Sequence, residues 1–207
     1  MPAQAGAPAR PPAAETARAL QQKYDRVKDF TADFTHTYEG GVLKKKAVVE
    51  RGVVKIRKPG RMRWDYTSPD KKTFVSDGRQ IYSYIPADKQ VIRSDMPSDD
   101  RATTAVLFLA GKGNLTRDFT VSYATPDETA DTWALRLDPK QKQQDYDWLV
   151  IVVDRKTLEI RSLTAAEQQG GRSSFAFTNY RENTGIDDKA FEFKIPKGVD
   201  VITANGR

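Results

Sequence analysis

From Phe30 onward large apolar side chains return at every second residue, a spacing that only a β-strand with one buried face can use. Phe30, Ala32, Phe34, His36 and Tyr38 point one way, and Thr31, Asp33, Thr35 and Thr37 point the other. Glu39-Gly40-Gly41 supplies a turn, and a long strand follows from about Lys46 to Lys58, stopped by Pro59-Gly60. In Arg61–Tyr66, Met62, Trp64 and Tyr66 alternate with Arg61, Arg63 and Asp65, so one face is aromatic and the other charged. Thr73–Asp77, a Gly78-Arg79 turn, Gln80–Ile85, a Pro86–Lys89 turn and Gln90–Arg93 continue the pattern as an antiparallel meander.

Two stretches depart from this period. Ala17, Leu20, Tyr24 and Val27 recur at spacings of three, four and three, which predicts an amphipathic helix over roughly Ala14–Lys28. Asp99 and Asp100 can cap a second helix that runs to Ala110 and stops at Gly111. Its Ala105–Ala110 run is apolar on nearly every side, so it must be covered on more than one face. Strands return at Phe119–Tyr123, Trp133–Asp138, Leu149–Asp154, Glu159–Gln168 and Ser173–Arg181. A short Phe191–Lys194 segment and a last apolar Val199, Val201 and Ile202 close the chain. No fixed-period repeat and no internal linker divides it, so a single domain over 14–207, built on one antiparallel sheet of about ten strands, is expected. Met1–Ala14 holds four Pro and six Ala, the composition of a flexible segment, so residues 1–13 are set apart. No basic start followed by an apolar stretch is present there, and the chain reads as a mature protein whose export signal was removed.

A curved sheet of this kind nearly closes on itself, and its inner face must be filled. Phe30, Phe34, Met62, Trp64, Phe74, Tyr82, Tyr84, Phe175 and Phe177 are the one-sided large side chains that would fill it, and the pattern alone favours a plain core. Catalytic readings find little support. With no Cys and one His among 207 residues, thiolate chemistry and sulfur-based metal sites are excluded, and any imidazole chemistry must run through His36. That residue shares the parity of Phe34 and Tyr38, which suits a satisfied, partly buried ring. The pairs Asp99-Asp100 and Asp187-Asp188 suit caps and turns, and Gly111-Lys112-Gly113 lacks the spacing of a phosphate loop. No catalytic residue, cofactor or metal is therefore expected. The net charge of +6 includes Lys44-Lys45-Lys46 and the Arg57–Arg63 cluster. In Arg61–Tyr66 the aromatics alternate opposite to the arginines, so both cannot meet one nucleic acid, and a solvated outer face is expected. No apolar run approaches the roughly 18 residues of a membrane span.

Several segments in order carry a family resemblance. They are the helix leading into Phe30-x-x-x-Phe34, then Lys58-Pro59-Gly60-Arg61-Met62-Arg63-Trp64-Asp65-Tyr66, then Phe74-Val75-Ser76-Asp77-Gly78 and Tyr82-Ser83-Tyr84-Ile85-Pro86. Glu167-Gln168, Arg172-Ser173-Ser174 and Phe191-Glu192-Phe193-Lys194-Ile195-Pro196-Lys197-Gly198-Val199-Asp200-Val201 complete the order. The chain resembles the LolA family of periplasmic carriers of outer-membrane lipoproteins over nearly everything after residue 14. The resemblance implies a mainly β, α+β fold: a half-open antiparallel β-barrel of about ten or eleven strands, with a helical lid over an apolar cavity. It replaces the plain core by a site for lipoprotein acyl chains, lined by the residues above together with Leu20, Tyr24, Val27, Leu107, Phe108, Leu109 and Leu163. The basic residue before the Pro, Lys58 here, would latch the lid to the sheet through main-chain carbonyls, with Arg57 or Arg61 sharing the task. Partners implied are an inner-membrane ABC transporter and an outer-membrane receptor, with the carrier a periplasmic monomer. The receptor is anchored through a lipidated Cys, which this chain lacks. The competing readings are a periplasmic lipid-sensing module of the same half-barrel, or a protein-interaction module with a filled interior.

Overall fold

The computed structural model describes residues 10–40, 47–97, 105–168 and 170–204. It opens with α1 (Ala13–Arg26), followed by β1 (Asp29–Glu39), β2 (Val48–Arg57), β3 (Arg61–Ser68), β4 (Lys72–Asp77), β5 (Gln80–Ile85) and β6 (Gln90–Asp95). Two short helices, α2 (Ala105–Leu109) and α3 (Leu115–Asp118), interrupt the strands. The sheet resumes with β7 (Phe119–Tyr123), β8 (Thr132–Pro139), β9 (Trp148–Asp154), β10 (Ile160–Ala166), β11 (Arg172–Glu182) and β12 (Asp200–Ala204). These form one 12-stranded sheet in the order β12-β6-β5-β4-β3-β2-β1-β11-β10-β9-β8-β7. Every pairing is antiparallel except that of β12 with β6. Its ends, β7 and β12, are not paired to each other among the described residues, so the barrel is half open.

The alternation read from the sequence sets the concave face. Phe30 stands opposite Ile56 and Ile56 opposite Met62; Val54 stands opposite Trp64 and Trp64 opposite Phe74; Phe34 faces Phe177. Cross-strand partners project to the same side, so these rows are continuous across the sheet. The row through Phe34 needs a gap in β2: a Cβ on Gly52 would lie 2.7 Å from the Phe34 ring, so glycine lets that ring lie flat over the strand.

Three departures from the sequence reading have physical causes. The N-terminal segment is pinned from Arg10 on, because its guanidinium lies 3.4 Å from the Tyr123 ring centre and pairs with Glu128, while Tyr123 Oη donates to the Pro11 carbonyl. The four-residue α3 escapes a periodicity search by its brevity; Asn114 caps it by accepting from the Thr116 and Arg117 amides. The C-terminal run crosses the convex face, where Phe191 is buried and Phe193 packs on Tyr82 and Tyr84, and then adds β12 as a twelfth strand. Residues 98–104 of the expected second helix, with the Asp99-Asp100 cap, lie outside the described residues, as do Lys44–Lys46.

Candidate functional site

α1 and α2 cover the concave face. The α1 stripe Thr16, Ala17, Leu20, Gln21 and Tyr24 is buried. Its two polar members are satisfied: Thr16 Oγ1 meets Tyr123 Oη at 2.7 Å, and Gln21 Oε1 accepts from the Leu115 amide at 2.8 Å. Leu107, Phe108, Leu109 and Ala110 are all buried, as expected of a segment apolar on every side. The Tyr24 and Phe108 rings stack with centroids 5.6 Å apart. Tyr24 Oη donates to the Leu109 carbonyl at 2.6 Å, tying one helix to the end of the other.

Lys58 stands beneath this joint. Its Nζ donates to the Tyr24 main-chain carbonyl and lies 4.1 Å from the Tyr24 ring centre. The next turn adds a second tie, with the Gly60 amide donating to the Ala110 carbonyl at 2.8 Å. Gly111 carries φ +86, and a Cβ there would approach the Lys58 side chain to 2.7 Å, so glycine is required both for the backbone angle and for the lysine stem. Arg57 and Arg61 take other partners: Arg57 donates to the Ile186 carbonyl at 2.6 Å, and both pair with Asp188.

Burial lowers the Lys58 pKa to about 8, with Asp25 opposing the shift. An unfolded chain keeps this amine protonated up to the ordinary lysine range, so between about 8 and that range the unfolded state binds the extra proton. The cost of the buried charge is present in full below pH 8 and is relieved as pH rises. The wild-type protein should therefore gain stability from pH 8 to 10 relative to Lys58→Met, measured as the difference between their urea midpoints.

Between helices and sheet a cavity of 440 Å³ remains, lined by Met62, Trp64, Tyr66, Phe74 and Ile81 from the sheet and by Val106 and Leu107 from α2. Ser94, Asp95, Pro97 and Asp145 complete its wall. A second cavity of 220 Å³ adjoins it through Val106 and Asp145, with Phe175, Ala165, Tyr146, Ser173 and Glu167 as its other walls. Of the residues expected from the sequence, Met62, Trp64, Phe74 and Leu107 line the larger space and Phe175 the smaller. Leu20, Tyr24, Val27, Phe30, Phe34, Phe108, Leu109, Leu163 and Phe177 form the packed apolar core around them.

Tyr82 and Tyr84 are a correction. Phe74 pairs with Ser83, which places Ser83 on the concave side; Tyr82 pairs with Val75 and Tyr84 with Thr73, on the other side. Both rings pack on Phe193 across the convex face, 5.3 and 6.0 Å away. Tyr66, Ile81, Val106 and Tyr146 were absent from the sequence expectation. Tyr66 carries the parity of Met62 and Trp64, whereas Ile81 stands on a strand apolar on both faces and Tyr146 lies in an irregular connection where no period points to it.

The aromatic floor ends in a polar layer. His36 Nδ1 lies 3.1 Å from Glu50 Oε2 and its Nε2 lies 2.9 Å from Ser173 Oγ, with the ring stacked on Phe175 at 4.2 Å. Lys72 Nζ pairs with Glu50 at 2.7 Å and lies 4.4 Å from the Tyr66 ring centre. Burial lowers the His36 pKa, against the pull of Glu50, and favours the neutral ring. The neutral ring donates from Nδ1 to Glu50 and accepts at Nε2 from Ser173. The ring is thus a satisfied side chain of the concave wall.

A half-barrel with two helices tied across its mouth, over a cavity walled mainly by apolar side chains, defines an apolar-ligand-binding fold. The family is settled by sequence: residues 25–194 match the family described as outer membrane lipoprotein carrier protein LolA, and the chain belongs to it. Among its relatives, the outer-membrane lipoprotein carrier protein of Chromohalobacter salexigens is 31% identical over 192 residues, covering 92% of this chain and 88% of that one. That of Hahella chejuensis is 31% identical over 188 residues, covering 89% and 86%. The fold recurs in an uncharacterized conserved protein from Thermus thermophilus, with a TM-score of 0.56 at 9% identity, covering 92% of this chain and 99% of that one. It recurs also in MucB, with a TM-score of 0.50 at 15% identity, where the match covers 88% of this chain and 62% of that one.

Proposed function

We propose that this chain is a periplasmic lipoprotein carrier: it shelters the acyl chains of lipoproteins released from the inner membrane and delivers them to an outer-membrane receptor. In this reading an ABC transporter loads it and it travels as a monomer. The observation that carries the reading is the 440 Å³ apolar cavity beneath helices held by a few polar ties, in a chain of the lipoprotein-carrier family. The cavity falls within the roughly 300–1,000 Å³ of small-ligand sites. Several acyl chains need more room, and they gain it if α1 and α2 swing outward and their buried apolar faces become wall.

Energetics set what such a site must do. Each methylene is worth about 0.8 kcal/mol relative to water, so a few long chains represent tens of kcal/mol, beyond the range of non-covalent affinities. Water is therefore the wrong reference, because cargo moves between a bilayer and the cavity. The cavity need only match lipid roughly, and it must give back what it takes. Closing the lid restores the Lys58–Tyr24 and Gly60–Ala110 bonds, which favours the empty state and eases unloading.

Incubation of the protein with spheroplasts bearing the cognate transporter should release a lipoprotein as a one-to-one soluble complex. An acylated peptide should also displace a lipophilic fluorescent probe from the purified protein. Uptake of neither probe nor lipoprotein would leave the filled-interior interaction module as the better reading.

A further inference from the structure

We propose that the concave face reads the polar junction of its cargo, the ester and amide carbonyls that join acyl chains to polypeptide. The readers are the Trp64 indole N–H and the Lys72–Glu50–His36 layer beside it. The inference rests on the carrier reading and adds an orientation to it.

Trp64 is 3% exposed, lines the larger cavity, and its Nε1 has no hydrogen-bond partner among the described residues. A buried donor left without an acceptor is costly, and native proteins seldom keep one unless something else satisfies it. A hydrocarbon chain cannot, whereas a carbonyl oxygen that reaches the buried indole as the lid opens can. The second donor lies nearby: Phe175 packs on Trp64 at 5.1 Å and on His36 at 4.2 Å, so the indole and the polar layer share one aromatic support. Within that layer Lys72 Nζ donates to Glu50 Oε2 at 2.8 Å, and an ammonium carries three donors, so it can hold Glu50 and still donate to a ligand carbonyl.

The surrounding charge selects a neutral ligand group. Asp95 and Asp145 stand in the wall of the larger cavity, Asp145 and Glu167 in that of the smaller, and Glu50 in the layer itself; among the described residues beside them the cations are Lys72, paired with Glu50, and Lys112, whose Nζ donates to the Pro97 carbonyl. A free carboxylate head would meet net negative surroundings, while an uncharged ester or amide keeps the hydrogen bonds without that repulsion. Acyl chains would then run toward Met62 and Leu107, with the polypeptide leaving past His36 and Lys72.

The test compares binding to wild-type protein of two pairs of probes by competition: a diacylated lipopeptide with ester linkages and its ether-linked counterpart lacking those carbonyls, and a free fatty acid and its alcohol. The ester lipopeptide should bind about ten-fold tighter than the ether form, a loss typical of a missing buried hydrogen bond. The fatty acid should show no such preference over its alcohol. Trp64→Phe, which keeps a ring and removes the donor, and Lys72→Met should each narrow the ester-to-ether ratio, and Lys72→Arg should restore it. Equal affinity of wild type for ester and ether forms overturns the proposal without any variant having to fold. So does an equal loss for both forms in the variants, which would make these residues structural. If wild type binds the ether lipopeptide and the ester equally well, the carrier reading stands and only the junction site falls; if it binds no lipopeptide, both fall.

Discussion

Lys58→Leu protein should load cargo as well as wild type and hand it on about ten-fold more slowly. The charge-assisted hydrogen bond from Lys58 to the Tyr24 carbonyl belongs to a class worth about 1.5–3 kcal/mol. Two features hold the value at the low end. The amine is buried enough to lower its pKa to about 8, so part of the gain is spent on desolvation. The Tyr24 carbonyl also accepts from the Val27 amide at 3.1 Å, so leucine leaves that oxygen satisfied and removes only the tie between sheet and helix. A loss of about 1.5 kcal/mol from the closed, empty state shifts the lid equilibrium roughly ten-fold toward open. That shift raises apparent affinity for cargo and lowers the drive to release it. Loading from spheroplasts and transfer to receptor-containing liposomes separate the two steps. Equal transfer rates for variant and wild type would remove the latch from the mechanism.

Phe34→Ala should lower the melting temperature by about 6–20 °C. Truncating a buried Phe costs about 3–5 kcal/mol, and each kcal/mol moves the midpoint of a domain this size by about 2–4 °C. The site offers little chance of collapse. Phe34 meets Trp64, Tyr66 and Phe175 with ring centroids 5.1, 4.8 and 6.2 Å away, and it lies over the bare backbone of Gly52. Removing it opens a hole that three large rings and a glycine cannot fill without moving the strands. The loss should appear in thermal unfolding followed by circular dichroism. A drop of under 3 °C would mean that the floor relaxes freely, and the cavity wall would then be soft.

The two predictions depend on different parts of the molecule, and the parts differ in how far the sequence exposes them. The floor is legible because Phe30, Ala32 and Phe34, and again Met62, Trp64 and Tyr66, stand on strands whose opposite faces are polar. There the parity of the apolar residues states which side is buried. Lys58 is legible only through the family resemblance, which places a basic residue before the Pro, and its partner, a main-chain carbonyl 34 residues earlier, carries no side-chain signal.

β5 shows where this reading stops. In Gln80-Ile81-Tyr82-Ser83-Tyr84-Ile85 both parities are apolar, so alternation names no face. The face is decided by pairing: Phe74 against Ser83 turns both tyrosines outward, and the C-terminal run then covers them with Phe193. The polar layer escapes in the same way, since Glu50 and Lys72 each look like solvent-facing charges until β2 and β4 bring them to His36 and Tyr66.

Local periodicity thus determined α1, most strands and the aromatic floor, because burial on one side repeats at a spacing of two or near three and a half along the chain. Tertiary structure alone decided the faces of β5, the parallel addition of β12, the polar layer and the size of the cavity. Each of these depends on the register between paired segments and not on the pattern within any one of them, and a one-residue change in register would exchange every inward side chain for an outward one.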